Sequence, residues 1–481
     1  MRNLKLIPLL LIALFVVQHA SASIVLLAQG TLDGNRADLS TKTAGVLENG
    51  LAGNLLGGMG SGLAWAGGNT FITTPDRGPN ATAYNPLIDN TASYIARFQT
   101  VSMGLVKNNS GAGLQYLLTP TLQATTLLSS TTALIYGSGA LGTGTVGGVH
   151  YSLDSGAPSL NAIDHTNYFT GRSDNFDATK PSSNPNNARL DLEGVRVSND
   201  GKSIFISDEY GPYIYQFDRA TGARIKSFEL PANLAVRNLS AQGALEIAGN
   251  TMGRIANKGM EGLSITPDGK TLVGIMQASL AQDAKNNLRI VTVDIATGVT
   301  HEYAYLLTTG TGVSEIVALN DHQFLVDERD GKGLGDGSAA KVKHVFKIDL
   351  SSAQDVSAMS GDLSSKAVSK TLFLDLVAQL KANGISSANI PAKIEGLAFG
   401  EDVVVNGTLL HTLFIANDND FVQGLAGANQ FYVFGISDAD LAVVNATYTA
   451  QKFVEVPEPA TRALMLAGLA LLCLGIGRRK D

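Results

Sequence analysis

A β-propeller of four-stranded antiparallel blades is the all-β fold class that this chain predicts, on three observations. First, a phrase recurs in which a Glu-Gly or Ser-Gly pair opens an apolar run and a second run ends in acids. It reads SGLAWAGGNTFITTPDRG from Ser61, EGVRVSNDGKSIFISDEYG from Glu193, EGLSITPDGKTLVGIMQ from Glu261, EIVALNDHQFLVDERDG from Glu315 and EGLAFGEDVVVNGTLLHTLFIANDND from Glu395. A phrase repeated in this way marks a repeated supersecondary unit. Second, β-rich runs such as KSIFIS and KTLVGIM follow Asn-Asp-Gly or Pro-Asp-Gly, residues that form tight turns, so each phrase is a hairpin. Third, YIYQFDRATGARIKSFEL and LRIVTVDIATGVTHEYAYL each carry Ala-Thr-Gly between two more β-rich runs, which brings the unit to the four strands of a propeller blade.

The phrases start at residues 61, 193, 261, 315 and 395, so the first interval is about twice the others. A blade with a degraded phrase is expected between residues 100 and 190, where Gly, Ser, Thr and Asn abound. The expected count is therefore six, within a range of five to seven.

The two ends read as addresses. A basic start at Met1–Lys5, an apolar core at Leu6–Val17 and the small residues Ala20-Ser21-Ala22 specify a secretory signal peptide over 1–22. The apolar run is shorter than the roughly 20 residues that cross a bilayer. At the other end, Val456-Pro457-Glu458-Pro459 precedes the apolar stretch Ala463–Gly477 and then Arg478-Arg479-Lys480. This tail, 456–481, resembles a PEP-CTERM sorting signal. The resemblance implies an exosortase-type partner in the cytoplasmic membrane, transient membrane association through the tail, and delivery to the surface or extracellular matrix of a Gram-negative bacterium. A plain anchor with its basic residues inside is the competing reading.

Between these signals, residues 23–455 are expected to form one propeller domain, long enough to bury an extended core. The lone cysteine, Cys473, lies in the tail, so the domain has no disulfide and no thiol chemistry. Acidic residues outnumber basic ones 42 to 35, and both ends of the chain are basic. With no basic stripe to neutralise phosphates, nucleic acid is excluded as a partner.

The hairpins also place chemistry. The start of one antiparallel strand and the end of the next share an edge. Turned about a propeller axis, this gathers Glu193, Glu261, Glu315 and Glu395 from strand starts, and Asp76, Asp208, Glu209, Asp327, Glu328, Asp418 and Asp420 from strand ends, around one mouth. Crowded carboxylates invite a hard cation, and irregular loop oxygens suit Ca²⁺ better than Mg²⁺. Basic residues recur beside them: Arg77 next to Asp76, Arg189 before Glu193, Lys258 before Glu261 and Lys393 before Glu395. Mixed in this way, the two charges can hold an oxyanion. The blander reading is that such acids accept loop amides and lock blades together.

The phrases LEGVRVSNDGKSIFISDEYGPYIYQFD, from Leu192, and NKGMEGLSITPDGKTLVGIMQ, from Asn257, closely resemble the phytase-like family, as do TPDRGPN from Thr74 and KIEGLAF from Lys393. The resemblance covers about Gly60 to Asp438. It implies a secreted propeller with hydrolytic activity on phosphoesters or other esters. Matched block by block, its candidates here are Asp76, Arg77, Glu193, Asp208, Glu209, Glu261 and Glu395. Three units depart from the pattern: the first has Ser61-Gly62, the fourth has Glu315-Ile316, and the third ends in Gln277 without an acid.

Other motifs lead nowhere. Gly137-Ser-Gly-Ala-Leu-Gly142 has dinucleotide-binding spacing but runs on as Thr-Gly-Thr-Val-Gly-Gly, which opens no helix. No Gly-x-Ser-x-Gly elbow and no His-Glu-x-x-His occurs. His322 and His411 fall within hairpins, and Asp327-Glu-Arg-Asp-Gly lacks EF-hand spacing.

The sequence thus predicts a Ca²⁺-assisted hydrolase of phosphate esters or other anionic small molecules. In it Glu193, Glu261 and Asp208 are the catalytic candidates, and Arg77, Lys258 and Lys393 orient the substrate. The metal set is Asp76, Glu193, Asp208, Glu209, Glu261, Asp327, Glu395 and Asp418. The alternative is a non-catalytic matrix protein that binds polysaccharide or protein.

Overall fold

The computed structural model describes residues 24–80, 91–136, 143–146, 149–152, 157–172, 184–238 and 248–453. The signal peptide, the Gly137–Gly142 motif and the sorting tail lie outside the described residues.

Five blades, not six, surround the axis. Blade 1 runs from its inner strand outward as Gly62–Trp65, Thr70–Thr74, Arg97–Lys107 and Tyr116–Leu127. Blade 2 is Leu192–Val197, Ser203–Asp208, Tyr213–Asp218 and Arg224–Glu229. Blade 3 is Met260–Ile265, Thr271–Met276, Asn287–Asp294 and Thr300–Leu306. Blade 4 is Gly312–Ala318, Gln323–Arg329, Lys343–Asp349 and Lys370–Asp375.

Blade 5 takes Ile394–Phe399, Thr408–Asn417 and Asn429–Ile436 from the late chain, and its outer strand, Val25–Leu32, from the beginning. Val25 pairs with Gly435 and Leu32 with Asn429. This antiparallel join closes the ring and removes the free edge that an open sheet would present. The interval that suggested a sixth blade is spent on the two outer strands of blade 1, a short helix at Ser159–Asp164 and two-stranded pairs.

The turns behave as their residues dictate. Gly201 and Gly269 take φ of 70° and 73° at the ends of Asn-Asp-Gly and Pro-Asp-Gly, and the Asp200 carboxylate accepts the Lys202 amide at 3.0 Å. The Ala-Thr-Gly turns are pinned alike, since Asp218 accepts the Thr221 amide at 2.8 Å and Asp294 the Thr297 amide at 2.7 Å.

Apolar residues fill the spaces between blades. Leu63, Phe71, Phe414 and Val433 pack between blades 5 and 1, and Ile72, Val195, Ile206 and Tyr215 between blades 1 and 2. Each such side chain, fully buried, contributes about 1.5–3 kcal/mol. Among the described residues no helix is long and apolar enough to cross a membrane.

Around the axis the inner strands come very close. A Cβ on Gly262 would lie 2.7 Å from the Ile316 nitrogen, and one on Gly194 2.4 Å from the Leu263 nitrogen. Glycine after the recurring acid is therefore a packing requirement.

The last described segment crosses the face opposite the mouth. Gln323 Nε2 donates to the Asn445 carbonyl, the Thr449 amide donates to the Leu319 carbonyl at 2.7 Å, and Gln451 Nε2 donates to the Val197 carbonyl at 2.8 Å. Tyr448 stacks on Phe399 with centroids 4.4 Å apart, and Phe453 meets Trp65 edge-on at 5.3 Å.

Candidate active site

A β-bulge builds the mouth. In blade 3, Met260 pairs with Met276 and Gly262 with Ile275, which leaves Glu261 bulged from the ladder. The same slip falls at Glu193-Gly194 in blade 2 and at Glu395-Gly396 in blade 5. A bulge re-aims its side chain, here toward the axis.

In blade 4 the bulged residue is Ser314, because Val313 pairs with Glu328 and Glu315 with Asp327. The fourth phrase is therefore displaced by one residue. Glu315 occupies the glycine seat of the other blades, and the expectation that it shares the position of Glu193, Glu261 and Glu395 is overturned by this register.

Two rings result. Strand starts supply Ser61, Glu193, Glu261, Ser314 and Glu395. One residue past the partner of the last paired residue before each bulge stand Glu209, Gln277, Arg329 and Asp418, and in blade 1 Asp76 stands two past Thr74. Eight of these ten residues line a cavity of about 200 Å³, together with Arg77, Asn257, Lys258 and Lys393. Sequence reasoning noted Gln277 only as a missing acid and passed over Arg329, although counting from the turn to the strand end puts both level with Glu209.

Within the cavity the charges interlock. Arg329 reaches Glu395 and stands 3.7 Å from Glu261 Oε1, which also accepts Gln277 Nε2 at 2.7 Å. Glu261 Oε2 is buried without a hydrogen-bond partner. Arg77 donates to Asp191 Oδ2 at 2.9 Å and lies 3.9 Å from Glu209, whose Oε1 accepts the Gly259 amide at 2.8 Å. Lys393 pairs with Asp420 and lies 3.5 Å from Asp418.

Burial sets the protonation. It pushes the Glu261 carboxyl up to about 8, with Glu395 adding to the shift and Arg329 opposing it. Asp76 and Glu209 rise to about 7 for the same first reason, against the pull of Arg77. Glu193 is held well above the carboxylate range by burial and then by Glu261, Asp191 and Glu209. Burial works against the charge on Lys393, but Asp420, Glu395, Asp418 and Asp76 overcome it and hold the ammonium protonated.

Two groups of acids approach metal-binding geometry. In Asp191, Glu193 and Glu209, and again in Asp76, Asp418 and Asp420, one carboxylate oxygen from each residue lies within 4.8 Å of the others. Asp191, two residues before Glu193, is a member that the sequence reading omitted. Alternation along the strand puts it on the same side.

Four acids expected at the mouth stand elsewhere. Asp208 precedes Glu209, so its side chain turns the other way. Its oxygens accept the amides of Asp191, Tyr210 and Gly211 at 3.1–3.2 Å, which holds the loop. Asp327 takes the Ser314 hydroxyl at 2.9 Å, and Ser314 also donates to the Ile394 carbonyl of the next blade. Glu328 accepts Tyr305 of blade 3 and Thr309 of the loop that follows it, and so ties blade 4 to its neighbour. Glu315 lies deeper on the axis, 3.1 Å from Arg196, and accepts the amides of Leu263 and Ile316. Arg196 in turn donates to carbonyls of Leu63, Val195, Ile316 and Leu397, in four different blades, and so plugs the channel beneath the mouth.

Residues 54–421 match the phytase-like family, described as having the esterase-like activity of phytase, and residues 455–480 match the PEP-CTERM protein-sorting motif. The chain belongs to the phytase-like family. Its sorting motif implies an exported protein and exosortase-type sorting. An uncharacterized secreted protein of Arthroderma benhamiae is 34% identical over 142 residues, 25% of this chain and 27% of that protein, so the chain spans about a quarter of this relative. Among solved structures, Kuenenia stuttgartiensis hydrazine synthase is 11% identical with a TM-score of 0.28, covering 75% of this chain and 77% of that one. The β-propeller domain of Cps50 (Swd1) from Myceliophteria thermophila is 13% identical with a TM-score of 0.22, over 47% and 52%.

Proposed function

We propose that this phytase-like protein is an exported hydrolase of phosphate or other anionic esters that works in the mouth cavity. One observation carries the reading: acids held partly protonated by burial and four cationic side chains, Arg77, Lys258, Arg329 and Lys393, line the same small space. Glu261 Oε2, on the wall of this cavity, is buried without a hydrogen-bond partner.

In this reading Arg329, Lys393 and Lys258 bind the anionic oxygens of the substrate and orient the ester. Gln277 fixes Glu261 Oε1, so the proton of Glu261 sits on Oε2, where it serves the leaving group. Glu193 faces the same space and, once ionised, takes the proton of the attacking water. Asp208 positions the loop that carries Glu209 and does not touch substrate.

The donor set fits a hard cation, since it is all oxygen and includes unpartnered carboxylates. Asp191, Glu193 and Glu209 are the residues that would hold calcium, with Asp76 and Asp418 as a second group. When bound, calcium would polarise the ester and acidify a bound water. Asp327 drops out of this set because it belongs to neither group and does not line the cavity.

For the whole chain, residues 1–22 are removed on export, residues 23–455 form the working domain, and the 456–481 tail directs sorting to the surface or matrix of a Gram-negative cell. The nearness of Val25, already in a strand, to residue 22 supports that first boundary.

The test is turnover of the purified 23–455 domain on p-nitrophenyl phosphate and p-nitrophenyl acetate, with calcium and with chelator. Chelator-sensitive hydrolysis that Glu261→Gln abolishes is the expected result. Absence of turnover on both, in a domain that still binds calcium, would leave a matrix-binding propeller as the better reading.

A further inference from the structure

The route of the last described residues fixes which way the propeller faces while its tail is held in a bilayer. From Asn445 to Phe453 the chain crosses the bottom of the disc, bonded in turn to blade 4 at Gln323 and Leu319 and to blade 2 at Val197, and ends on Trp65 of blade 1. Trp65, Val197 and Leu319 all lie at or just past the ends of inner strands, remote from the bulges that begin them. Phe453 is therefore fixed near the axis on the face opposite the cavity.

Only residues 454–462 separate Phe453 from the apolar stretch Ala463–Gly477. Fully extended, the ten steps from Phe453 to Ala463 span at most about 36 Å. To bring the mouth against the bilayer, this tether would have to pass around the rim. Three inter-strand steps of about 4.8 Å separate inner from outer strand, and a six-residue strand adds roughly 20 Å of thickness. That path, with side chains, exceeds the tether.

We infer that the protein, while its tail is in the membrane, stands with its bottom face against the lipid surface and its mouth turned outward to solution. The partner of the bottom face is thus the bilayer itself, and the site meets soluble or matrix-borne molecules. This orientation holds whether or not the mouth is catalytic.

The lone cysteine makes the test clean. In the full chain carrying Cys473→Ser, single reporters are placed at Lys202→Cys and Glu401→Cys in bottom turns, and at Lys332→Cys beside the cavity residue Gly331. Each position is exposed, so labelling leaves packing intact, and unchanged melting temperatures verify this. The labelled chains are reconstituted through their tails into phosphatidylethanolamine–phosphatidylglycerol vesicles with an acceptor dye on the headgroups.

Energy transfer at residues 202 and 401 should exceed that at 332 by about twofold or more, given the roughly 20 Å between faces. Inserting about 20 Gly/Ser residues after Phe453 should erase the difference, since a flexible linker of that size adds on the order of 25 Å of reach. Equal or greater transfer at 332 in the unextended chain would overturn the inference. A difference that persists in the extended chain would also overturn it, because the short tether would then not be its cause.

Discussion

The mouth and the axial plug below it are built from the same residue types, one or two positions apart, and they are finished differently. In the plug, Glu315 meets Arg196 at 3.1 Å and two backbone amides, while Arg196 spends its donors on carbonyls of four blades. In the mouth, Glu261 keeps one oxygen unpartnered and Asp418 keeps two. In the plug the one Glu315 oxygen without a hydrogen bond, Oε2, faces the Arg196 guanidinium at 3.1 Å, so its charge is answered from within the fold, whereas Glu261 borders an open cavity. Burial and an oxygen without a hydrogen bond are common to both, so access to the cavity is what separates a structural acid from a candidate functional one.

The largest expected effect breaks the comparison from the mouth side. Glu261→Gln keeps shape and the bond to Gln277 but removes the proton-bearing carboxyl, so turnover should fall by about 10² to 10⁴-fold. Steady-state kinetics at saturating calcium, beside a melt showing little change, is the check. If melting temperature and turnover fell together, Glu261 would belong with the plug.

The plug answers to the opposite measurement. Arg196→Met strands Glu315 as a buried charge, and denaturant unfolding should register a loss of about 3–5 kcal/mol. Activity per folded molecule should be preserved, which separates this variant from Glu261→Gln.

A smaller effect follows from the raised carboxyls of the mouth. Glu261, pushed up to about 8, and Asp76 and Glu209, pushed up to about 7, hold protons in the folded state that ordinary carboxylates of the unfolded chain release near pH 4. The folded state therefore binds more protons, and without cations its stability falls as pH rises from about 4 to about 8. Melts in chelator should show this decline. Calcium displaces those protons, so its stabilising effect should grow with pH, and at about ten times a Kd of 10⁻⁴ to 10⁻³ M it amounts to roughly 1.4 kcal/mol. A calcium effect independent of pH would place the ion away from these acids.

The mildest test concerns Ser314, which occupies the ring seat that three other blades give to glutamate. Ser314→Ala removes the hydroxyl bonds to Asp327 and the Ile394 carbonyl. A loss of about 1–3 kcal/mol in stability with unchanged kcat/KM is expected.

Local chemistry made much of this protein legible in its sequence. Turn residues and alternating β-rich runs determine hairpins whatever surrounds them, and so the blade as a unit, the recurring acids and all but one of the cavity's charged residues could be named: Asp76, Arg77, Glu193, Glu209, Lys258, Glu261, Lys393 and Glu395 all line it. The match to the phytase-like family rests on those same phrases.

What tertiary structure decided depends on pairing between distant segments. Ring closure by Val25–Leu32 against Asn429–Ile436 joins opposite ends of the chain, and a blade count taken from phrase spacing has no access to that pairing. Register is the second such decision. In blade 4 the bulged seat falls on Ser314, and because strand side chains alternate with a period of two, the single step to Glu315 places that acid in the axial plug instead of the mouth, while Arg329 stands opposite Glu261 and Glu395.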